Sequence, residues 1–431
     1  MPTKTTPLRR LWIARRAQRA VRGSPDVLID NSLFILATSV VTGAGGFLFW
    51  ALNARLFTAA QVGLASALLG ACTTLASCGL LGFNQTLVRR LPGSDTPSRL
   101  INTSLVLIAG ASVVVATGYA LIVPSFVPAL GALREAPVLF AFVLVTALIG
   151  INLGTDSVFI AHQRARFNFA IDGLLQSAVK LALPAALVWL GAYGVFLSAG
   201  IATAAAAGAS LIVLVRRFGY RPRLEVDGGA VRRDLAFSSR TYLAELFDLV
   251  PPLVLPLLIV RELGPQATAY YLIAFQIVNL LYAGIFAVTQ ATFAEGCRRP
   301  ESLRALAGRS ARLLLLAPLG GLVLAVVGPY ILGLVGPEYR AGGAGPLVVL
   351  SLGAIVVAPT ALSAALLKLT GQLGAMVVAT VVRNGTVCVL ALVLLPHGLT
   401  GVAVAYVAGE AVSLIIPAWA LLRRSVWKVR A

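Results

Sequence analysis

Charged side chains are rare in this sequence, and several of them lie inside long apolar stretches. Of its 431 residues, 58% are hydrophobic and only 12% are charged. A charged side chain within a membrane span is costly and by default marks a functional site. Lys180 lies midway along one apolar stretch, and Arg383 lies about 15 Å into another. If both bases face one cavity, they form a binding site for an anion.

A local ion pair is the alternative for each base. Lys180 belongs to a polar stripe that repeats every four residues and therefore follows one face of a helix. The members of the stripe are Asp172, Gln176, Lys180 and Pro184. In this alternative Lys180 pairs with Asp172 through Gln176. Arg383 pairs with a carboxylate elsewhere, and Glu410, in the middle of the next apolar stretch, is a candidate.

Three more charged residues lie at the start of an apolar stretch that also contains prolines. Glu245 and Asp248 are three residues apart, so both carboxylates fall on one face of a helix. Such a pair binds a proton or a sodium ion, neutralises Arg240 or Arg383, or forms a structural ion pair. Arg240 either lines the mouth of a cavity or reaches the membrane surface. The prolines that follow should bend the helix just beyond the acids. They are Pro251, Pro252 and Pro256.

The remaining polar residues give no sign of catalysis. Asp156 lies near the end of its apolar stretch, where contact with solvent accounts for it. The four cysteines are scattered and the two histidines are far apart, so neither type has the spacing of a metal or redox site. No nucleophile stands beside a base, and no glycine-rich loop is suited to a phosphate. We therefore expect a protein that is not an enzyme and that uses no cofactor or metal.

The charged residues must be held by helices that cross a membrane. Mean hydropathy is +0.90, and apolar runs of about 20 residues, the length that spans the hydrocarbon core, recur along the whole chain. The sequence thus predicts an all-α polytopic membrane protein with twelve transmembrane helices. The predicted spans are residues 32–52, 62–82, 101–123, 137–161, 168–190, 194–215, 237–260, 268–292, 313–335, 345–367, 373–395 and 399–422.

Basic residues set the orientation of these spans. Of the 35 lysines and arginines, 29 fall in the tails and in every second loop, and four fall in the opposite loops. Cytoplasmic segments carry such an excess, so both termini are predicted to be cytoplasmic in a multi-pass protein of the plasma membrane. The same pattern explains the net charge of +19 without a nucleic acid partner. The basic N-terminal segment also lacks the short apolar core of a signal peptide.

The chain divides into two lobes of six spans each. The predicted segments are a basic cytoplasmic tail at 1–30, an N-lobe at 31–215, a cytoplasmic linker at 216–236, a C-lobe at 237–422 and a basic cytoplasmic tail at 423–431. The halves are similar at an offset of 206 residues, where Asn84-Gln-Thr falls on Gln290-Ala-Thr. Chance similarity between apolar helices is the alternative. A repeated six-span unit keeps its topology, so the lobes would be related by pseudo-two-fold symmetry about the membrane normal.

Four motifs follow each other in an order and spacing typical of one family. They are Arg55-Leu-Phe-Thr-Ala-Ala-Gln-Val-Gly-Leu, Leu80-Leu-Gly-Phe-Asn-Gln-Thr-Leu-Val-Arg-Arg-Leu-Pro92, Gly336-Pro-Glu-Tyr-Arg340 and Leu395-Pro-His-Gly-Leu-Thr-Gly-Val-Ala-Val-Ala-Tyr406. Through them, nearly the whole chain after the N-terminal tail resembles the polysaccharide (O-antigen, Wzx-type) flippases of the multidrug/oligosaccharidyl-lipid/polysaccharide exporter superfamily. His397 departs from the family, in which an aromatic residue is common at this position.

The resemblance implies a flippase that moves an undecaprenyl-pyrophosphate-linked glycan to the outer leaflet, by two lobes that rock about a central cavity. Lys180 and Arg383 would then bind the pyrophosphate, with Arg240 at the entrance. Ion coupling or gating would fall to Glu245, Asp248 and Glu410. The expected partners are the lipid-linked oligosaccharide, membrane lipids and other polysaccharide-assembly proteins. The alternatives are a multidrug exporter or lipid II flippase of the same superfamily and, from another class, a membrane glycan polymerase or ligase.

Overall fold

The computed structural model of the protein describes residues 25–225, 242, 245–298 and 303–422, which are almost entirely helical. A helix pairs the backbone groups of its interior within the segment, as the hydrocarbon core demands. The N-lobe helices are α1 (Pro25–Leu56), α2 (Ala59–Gly79), α3 (Phe83–Arg90), α4 (Pro97–Ile122), α5 (Ala136–Ala161), α6 (Arg166–Ala186) and α7 (Ala192–Phe218). The C-lobe helices are α8 (Val250–Glu262), α9 (Gly264–Arg298), α10 (Leu303–Leu314), α11 (Leu316–Val335), α12 (Pro337–Leu352), α13 (Ala354–Leu369), α14 (Leu373–Leu394), α15 (Gly398–Ser413) and α16 (Ile415–Leu422).

Nine helical stretches within these residues are long and apolar enough to cross a membrane, and the pair α12 and α13 adds a tenth. One of the nine, Leu373–Leu421, contains both α14 and α15, which pack against each other and therefore make two crossings. The span predicted at 237–260 begins outside the described residues, and α8 forms its second half. The protein is thus the twelve-helix, two-lobed bundle that the sequence predicts.

The predicted tails and linker fall mostly outside the described residues. Within the tail predicted at 1–30, residues from Pro25 onward already belong to α1. The linker predicted at 216–236 begins inside α7, which continues to Phe218, and its residues beyond 225 lie outside the described part. The tail at 423–431 lies outside it as well.

Two predicted spans are broken rather than continuous. The span predicted at 345–367 consists of α12 and α13, which meet at an angle of 46°. Close to this break the Tyr282 hydroxyl donates to the Leu350 carbonyl oxygen at 2.6 Å. A side chain that enters the hydrogen-bond ladder of a helix is a usual cause of a kink. The span predicted at 399–422 is divided at Leu414 into α15 and α16.

The seventh span is interrupted by a turn between its acids and its prolines, and the predicted bend at this place stays a prediction. Residues 245–248 are helical, Leu249 is a turn, and α8 begins at Val250. Pro251 therefore lies in the first turn of α8, where a helix has no use for the backbone donor that proline lacks. The acids Glu245 and Asp248 lie on one side of this break and the prolines on the other.

The helix α6 departs from a regular α-helix. Its segment Phe169–Gln176 is a π-helix. The wider turn changes the directions of the side chains relative to the regular stripe that the sequence predicts. Asp172 and Gln176 belong to this segment, whereas Lys180 and Pro184 follow it in α-helical geometry. Departures of this kind inside an α-helix are frequent at functional sites.

Each lobe repeats the same arrangement of neighbouring helices. In the N-lobe α2 packs on α4 and α5, α5 packs on α7, and α1 packs on α6. In the C-lobe α9 packs on α11 and α12, α12 packs on α15, and α8 packs on α14. The correspondence is the one expected if two six-span units are related by a pseudo-two-fold axis.

The lobes meet mainly through α2 and α9. A Cβ atom at Gly63 would lie 1.7 Å from the Pro265 carbonyl oxygen, so a side chain larger than hydrogen would force these helices apart. At the same end of the bundle the Arg55 guanidinium donates to the Leu334 carbonyl oxygen at 2.8 Å. Apolar residues near the end of α1, such as Trp50 and Ala54, and Phe57 directly after it join the core of the C-lobe. The lobes are therefore closed together at the end that holds the α1–α2 turn, which we call the far end.

The start of the linker is fastened to the N-lobe by one buried amide. Asn102 of α4 donates to the Arg221 carbonyl oxygen at 3.0 Å and accepts from the Arg223 backbone N–H at 3.1 Å. Its Oδ1 also accepts the Tyr220 hydroxyl. Burial raises the pKa of Tyr220, so this hydroxyl keeps its proton and remains a donor at neutral pH.

Replacement of this amide should destabilise the N-lobe. We expect Asn102→Ala to lower the free energy of unfolding by about 2–3 kcal/mol, because it removes three hydrogen bonds and leaves buried groups unpaired. The measurement is an unfolding titration of the purified protein in mixed micelles. The matched control is Asn279→Ala, since Asn279 is exposed on α9, and a change within about 0.5 kcal/mol is expected there. Equal losses in the two variants would contradict the assignment.

Candidate functional site

A cavity of about 860 Å³ lies between the lobes. Its N-lobe wall comes from α1, α2, α5, α6 and α7, and its C-lobe wall from α8, α9 and α15. Among the described residues that line it, the charged ones are Asp156, Asp172 and Lys180, all from the N-lobe. The C-lobe wall is made of proline, aromatic, leucine and uncharged polar side chains. The two walls are thus chemically different although the lobes share one architecture.

A buried acid pair lies on the N-lobe wall. Asn152 donates to Asp172 Oδ1 at 2.8 Å, and the carboxyl group of Asp156 lies close to that of Asp172. Two carboxylates side by side repel each other unless a proton or a cation lies between them. The pair can hold one proton, or in its place a cation. The expectation that contact with solvent accounts for Asp156 is wrong, because the carboxyl group packs against Asp172 inside the bundle.

Buried oxygens around the acid pair have no partner among the described residues. They are Thr42 Oγ1, Asn152 Oδ1, Asp156 Oδ1 and Asn168 Oδ1. Most buried polar groups in proteins are hydrogen-bonded, so these atoms are unsatisfied acceptors next to the cavity. The signal in the sequence is that Asn152 and Asp156 are four residues apart on one span, as are Asn168 and Asp172 on the next. The pattern is visible only when the two spans are compared with each other.

Lys180 reaches the same cavity. Within the described residues no carboxylate lies within ion-pair distance of its ammonium group, and Asp172 acts on it only through its charge from farther away. Gln176, the proposed bridge to Asp172, instead donates to Thr203 Oγ1 at 3.2 Å. The local pairing of Lys180 through Gln176 is therefore not formed, and the ammonium group can contact an anion in the cavity.

Arg383 lies in a different setting. Its guanidinium forms an ion pair with Asp248 and contacts Glu410 Oε1 at 3.5 Å, so the predicted pairing with Glu410 is present. Asn384 completes the group, since it donates to Asp248 Oδ1 at 3.1 Å and to the Phe247 carbonyl oxygen at 2.7 Å. The Glu410 side chain is only 8% exposed and that of Asp248 is 47% exposed. We call Arg383, Asp248, Glu410 and Asn384 the C-lobe ion cluster.

The two predicted bases consequently do not face one cavity. Lys180 lines the cavity between the lobes, whereas Arg383 lines a separate small pocket beside α13 and α16. The reason is the difference in partners: the C-lobe offers Arg383 two carboxylates, and the N-lobe leaves Lys180 without one. Tyr406 joins the two regions, because it lines the cavity and interacts electrostatically with both Arg383 and Glu410.

The remaining candidates of the seventh span lie at its start. The Glu245 carboxylate accepts a hydrogen bond from Gln85 of the N-lobe, and the Tyr242 hydroxyl donates to the Cys78 carbonyl oxygen. Both contacts join the two lobes at the end opposite the far end. Arg240 lies outside the described residues, so its place at the cavity entrance stays a prediction. Within the described part of the chain, no group of three or more His, Cys, Asp or Glu residues is placed to hold a metal ion.

Solved structures with the same architecture are membrane transporters. A multidrug resistance transporter of the MATE family, in an inward-facing conformation, is 15% identical with a TM-score of 0.68, over 93% of this chain and 96% of that chain. A MOP superfamily transporter from Pyrococcus furiosus, whose binding pocket of reversed polarity suggests a different function, is 15% identical with a TM-score of 0.63, over 99% and 100%. The protein is therefore a multi-pass membrane protein with the fold of the MOP superfamily transporters.

The sequence places the chain more narrowly within this class. The family described as polysaccharide biosynthesis protein matches residues 52–341, about two thirds of the chain. The chain belongs to this family, in agreement with the resemblance of its motifs. No curated protein matches it.

The C-lobe ion cluster predicts an unequal response to removal of its charges. Arg383→Ala leaves Glu410 buried without its partner, so we expect a loss of about 3–5 kcal/mol in the free energy of unfolding. Adding Glu410→Gln to this variant should restore part of the loss, because it removes the unpaired charge. The measurement is a double-mutant cycle of unfolding in mixed micelles.

The control is the exposed pair of Arg261 and Glu262, whose side chains are 54% and 45% exposed. Arg261→Ala should cost no more than about 1 kcal/mol, since solvent screens this pair. A cost for Arg383→Ala as small as that of the control would refute a structural role for the cluster.

Proposed function

We propose that the protein is a flippase that moves undecaprenyl-pyrophosphate-linked polysaccharide repeat units across the plasma membrane by alternating access. The observation that carries the proposal is the cavity between the lobes, in which no carboxylate of the described residues lies within ion-pair distance of the Lys180 ammonium group. Membership of a polysaccharide biosynthesis family supports a lipid-linked glycan as the substrate. The isoprenoid tail stays in the lipid while the polar head group passes through the cavity.

Lys180 binds the pyrophosphate in this proposal. An ammonium group supplies three donors to phosphate oxygens, and its charge is poorly screened within the bundle. Arg383 contributes only in a state in which Asp248 releases it, because its guanidinium is otherwise occupied. Arg240 has the role of an entrance contact. The N-lobe therefore makes the first contact with the anion.

The closed far end fits one half of a transport cycle. Gly63 and Arg55 join the lobes there, so in this conformation the substrate exchanges at the opposite end once the Glu245–Gln85 and Tyr242–Cys78 contacts open. With both termini cytoplasmic, as the basic residues predict, this is the state that faces the cytoplasm. A similar solved structure, the multidrug resistance transporter, was captured facing inward. Release of the substrate into the outer leaflet requires the contact between Gly63 and Pro265 to open.

Two groups of carboxylates are candidates for ion coupling. The sequence favours Glu245, Asp248 and Glu410, but Asp248 and Glu410 neutralise Arg383. The acid pair Asp156 and Asp172 lies in the cavity, beside buried oxygens that have no partner among the described residues. We therefore include proton or sodium exchange at this pair in the proposed cycle, with Glu245 as a gating contact.

A multidrug exporter is the second candidate. The observation that favours it is the acid pair beside aromatic rings in the cavity, since a carboxylate and aromatic faces both attract an organic cation. A transport assay with tetraphenylphosphonium distinguishes the two candidates. If tetraphenylphosphonium accumulates in the proteoliposomes and the lipid-linked oligosaccharide is not flipped, the protein is a drug exporter and not a flippase.

Loss of the cavity base should slow flipping. We expect Lys180→Ala to lower the initial rate of flipping at least about tenfold at low substrate concentration, since a hydrogen bond to a charged group is worth about 1.5–3 kcal/mol. Lys180→Arg should keep most of the rate. The measurement is the appearance of undecaprenyl-pyrophosphate-linked oligosaccharide in the outer leaflet of proteoliposomes. Arg164→Ala, which removes an exposed base outside the cavity lining, is the control; an equal effect of both alanine variants would contradict the role of Lys180.

Alternating access predicts a particular sensitivity of the far end. Gly63→Leu should hold the lobes apart and reduce flipping, whereas Gly110→Leu, in open space on α4, should leave the rate within about twofold of the parent. Distances between spin labels at Glu135 and Glu338, both exposed at the far end, report the opening. A Gly63→Leu protein with unchanged distances and an unchanged rate would rule out closure at this contact.

A further inference from the structure

The C-lobe wall of the cavity has a composition of its own. It contains three aromatic side chains, which we call the aromatic wall: Tyr271 and Phe275 of α9 and Tyr406 of α15. Thr268 and Gln276 add uncharged polar groups to the same side of the cavity. Among the described residues the charged members of the lining all belong to the N-lobe. An anion-binding role for Lys180 therefore leaves the aromatic wall unexplained.

The rings of the aromatic wall form one continuous surface. Tyr271 and Phe275 are four residues apart on α9 and thus on one helix face. Their planes are 20° apart and their centroids 6.2 Å apart. Tyr406 stands edge-on to Phe275, with an angle of 84° and a centroid distance of 5.9 Å. Phe275 and Tyr406 are half-buried, so parts of both rings remain open to the cavity.

A buried hydroxyl on this surface has no partner. The Tyr271 side chain is 8% exposed and lines the cavity, yet its hydroxyl forms no hydrogen bond within the described residues. Burial of such a group without a partner costs free energy. A ligand that only fills apolar space would leave that cost in place. A ligand that carries hydroxyl groups would remove it.

We infer that the aromatic wall binds neutral sugar rings of the transported glycan, an inference that rests on the proposed flippase function. A pyranose ring has an apolar face of C–H groups and an edge of hydroxyls. The negative face of an aromatic ring attracts polarised C–H groups. The Tyr271 hydroxyl and the Gln276 amide both donate and accept hydrogen bonds, as sugar hydroxyls do. An organic cation also fits aromatic faces but offers no partner to Tyr271.

The inference divides the head group between the two lobes. The pyrophosphate contacts Lys180 on the N-lobe wall, and the sugars nearest to it lie against α9 and α15 on the C-lobe wall. The two lobes thus bind different parts of one substrate. Discrimination between glycans falls to the aromatic wall, because the pyrophosphate is common to every lipid-linked glycan of this class.

Binding measurements on the full-length protein in nanodiscs test this division. The probes are undecaprenyl pyrophosphate alone and the same lipid bearing a neutral galactose–glucose disaccharide. Phe275→Leu should weaken binding of the disaccharide-bearing lipid by about tenfold through the lost ring contact, and Tyr271→Phe by about fivefold through the lost hydrogen bond. Both variants should bind the sugar-free lipid as the parent does. Lys180→Ala should weaken binding of both lipids.

Phe286→Leu is the matched control, because Phe286 lies on the same helix α9, is 47% exposed and does not line the cavity. It should bind both lipids like the parent. Equal weakening of the two lipids in Phe275→Leu, or no weakening of either, overturns the sugar-binding role while the flippase function stands. A parent protein that binds neither lipid but binds tetraphenylphosphonium overturns the flippase function itself.

Discussion

The cost of placing charge in the hydrocarbon core determines how this bundle is organised. Each charged side chain inside it must have a counter-ion or face a polar cavity. Arg383 satisfies the first condition, because Asp248 and Glu410 both contact it. Lys180 satisfies the second condition, because its side chain lines the cavity between the lobes. The same physical demand is thus met by a closed ion cluster in one lobe and by an open polar wall in the other.

The difference between the lobes follows from a few substitutions within the repeat. At the offset of 206 residues Asp248 corresponds to Thr42, and Glu410 corresponds to Ala204. The N-lobe therefore lacks both carboxylates that neutralise Arg383 in the C-lobe. Its own acids, Asp156 and Asp172, lie next to each other in the cavity lining. The two lobes thus share one architecture but differ in where their carboxylates lie.

The sequence determines the number and order of the helices more directly than their interruptions. Apolar length alone identifies the spans, because no polar backbone can be left unpaired in lipid. The kink between α12 and α13 depends instead on the Tyr282 hydroxyl reaching Leu350 from a helix about seventy residues away in sequence. Local patterns do not contain such a contact. The turn at Leu249 is the exception, since it lies just before prolines of the same span that are visible in the sequence.

Site residues were predictable as residue types but not as partners. A base or acid within an apolar stretch is visible in the sequence, and this identified Lys180, Arg383 and Glu410. Which helix face meets which neighbour is set by packing across the lobe. For this reason the sequence allowed either local pairing or a shared cavity for each base. In the structure Arg383 is paired with carboxylates, whereas Lys180 lines the cavity. The acid pair of Asp156 and Asp172 was not predicted, because it depends on the contact between two helices and not on the position of either residue in its own span.

The seventh span shows how two similar acids acquire different roles. Glu245 and Asp248 share a helix face in the sequence, yet Glu245 contacts Gln85 of the N-lobe and Asp248 contacts Arg383 of the C-lobe. A movement of one lobe against the other must break the first contact and can leave the second intact. The turn at Leu249 lies directly after Asp248 and separates both acids from α8. In the proposed cycle Glu245 therefore acts at the gate, whereas Asp248 anchors the span to its own lobe.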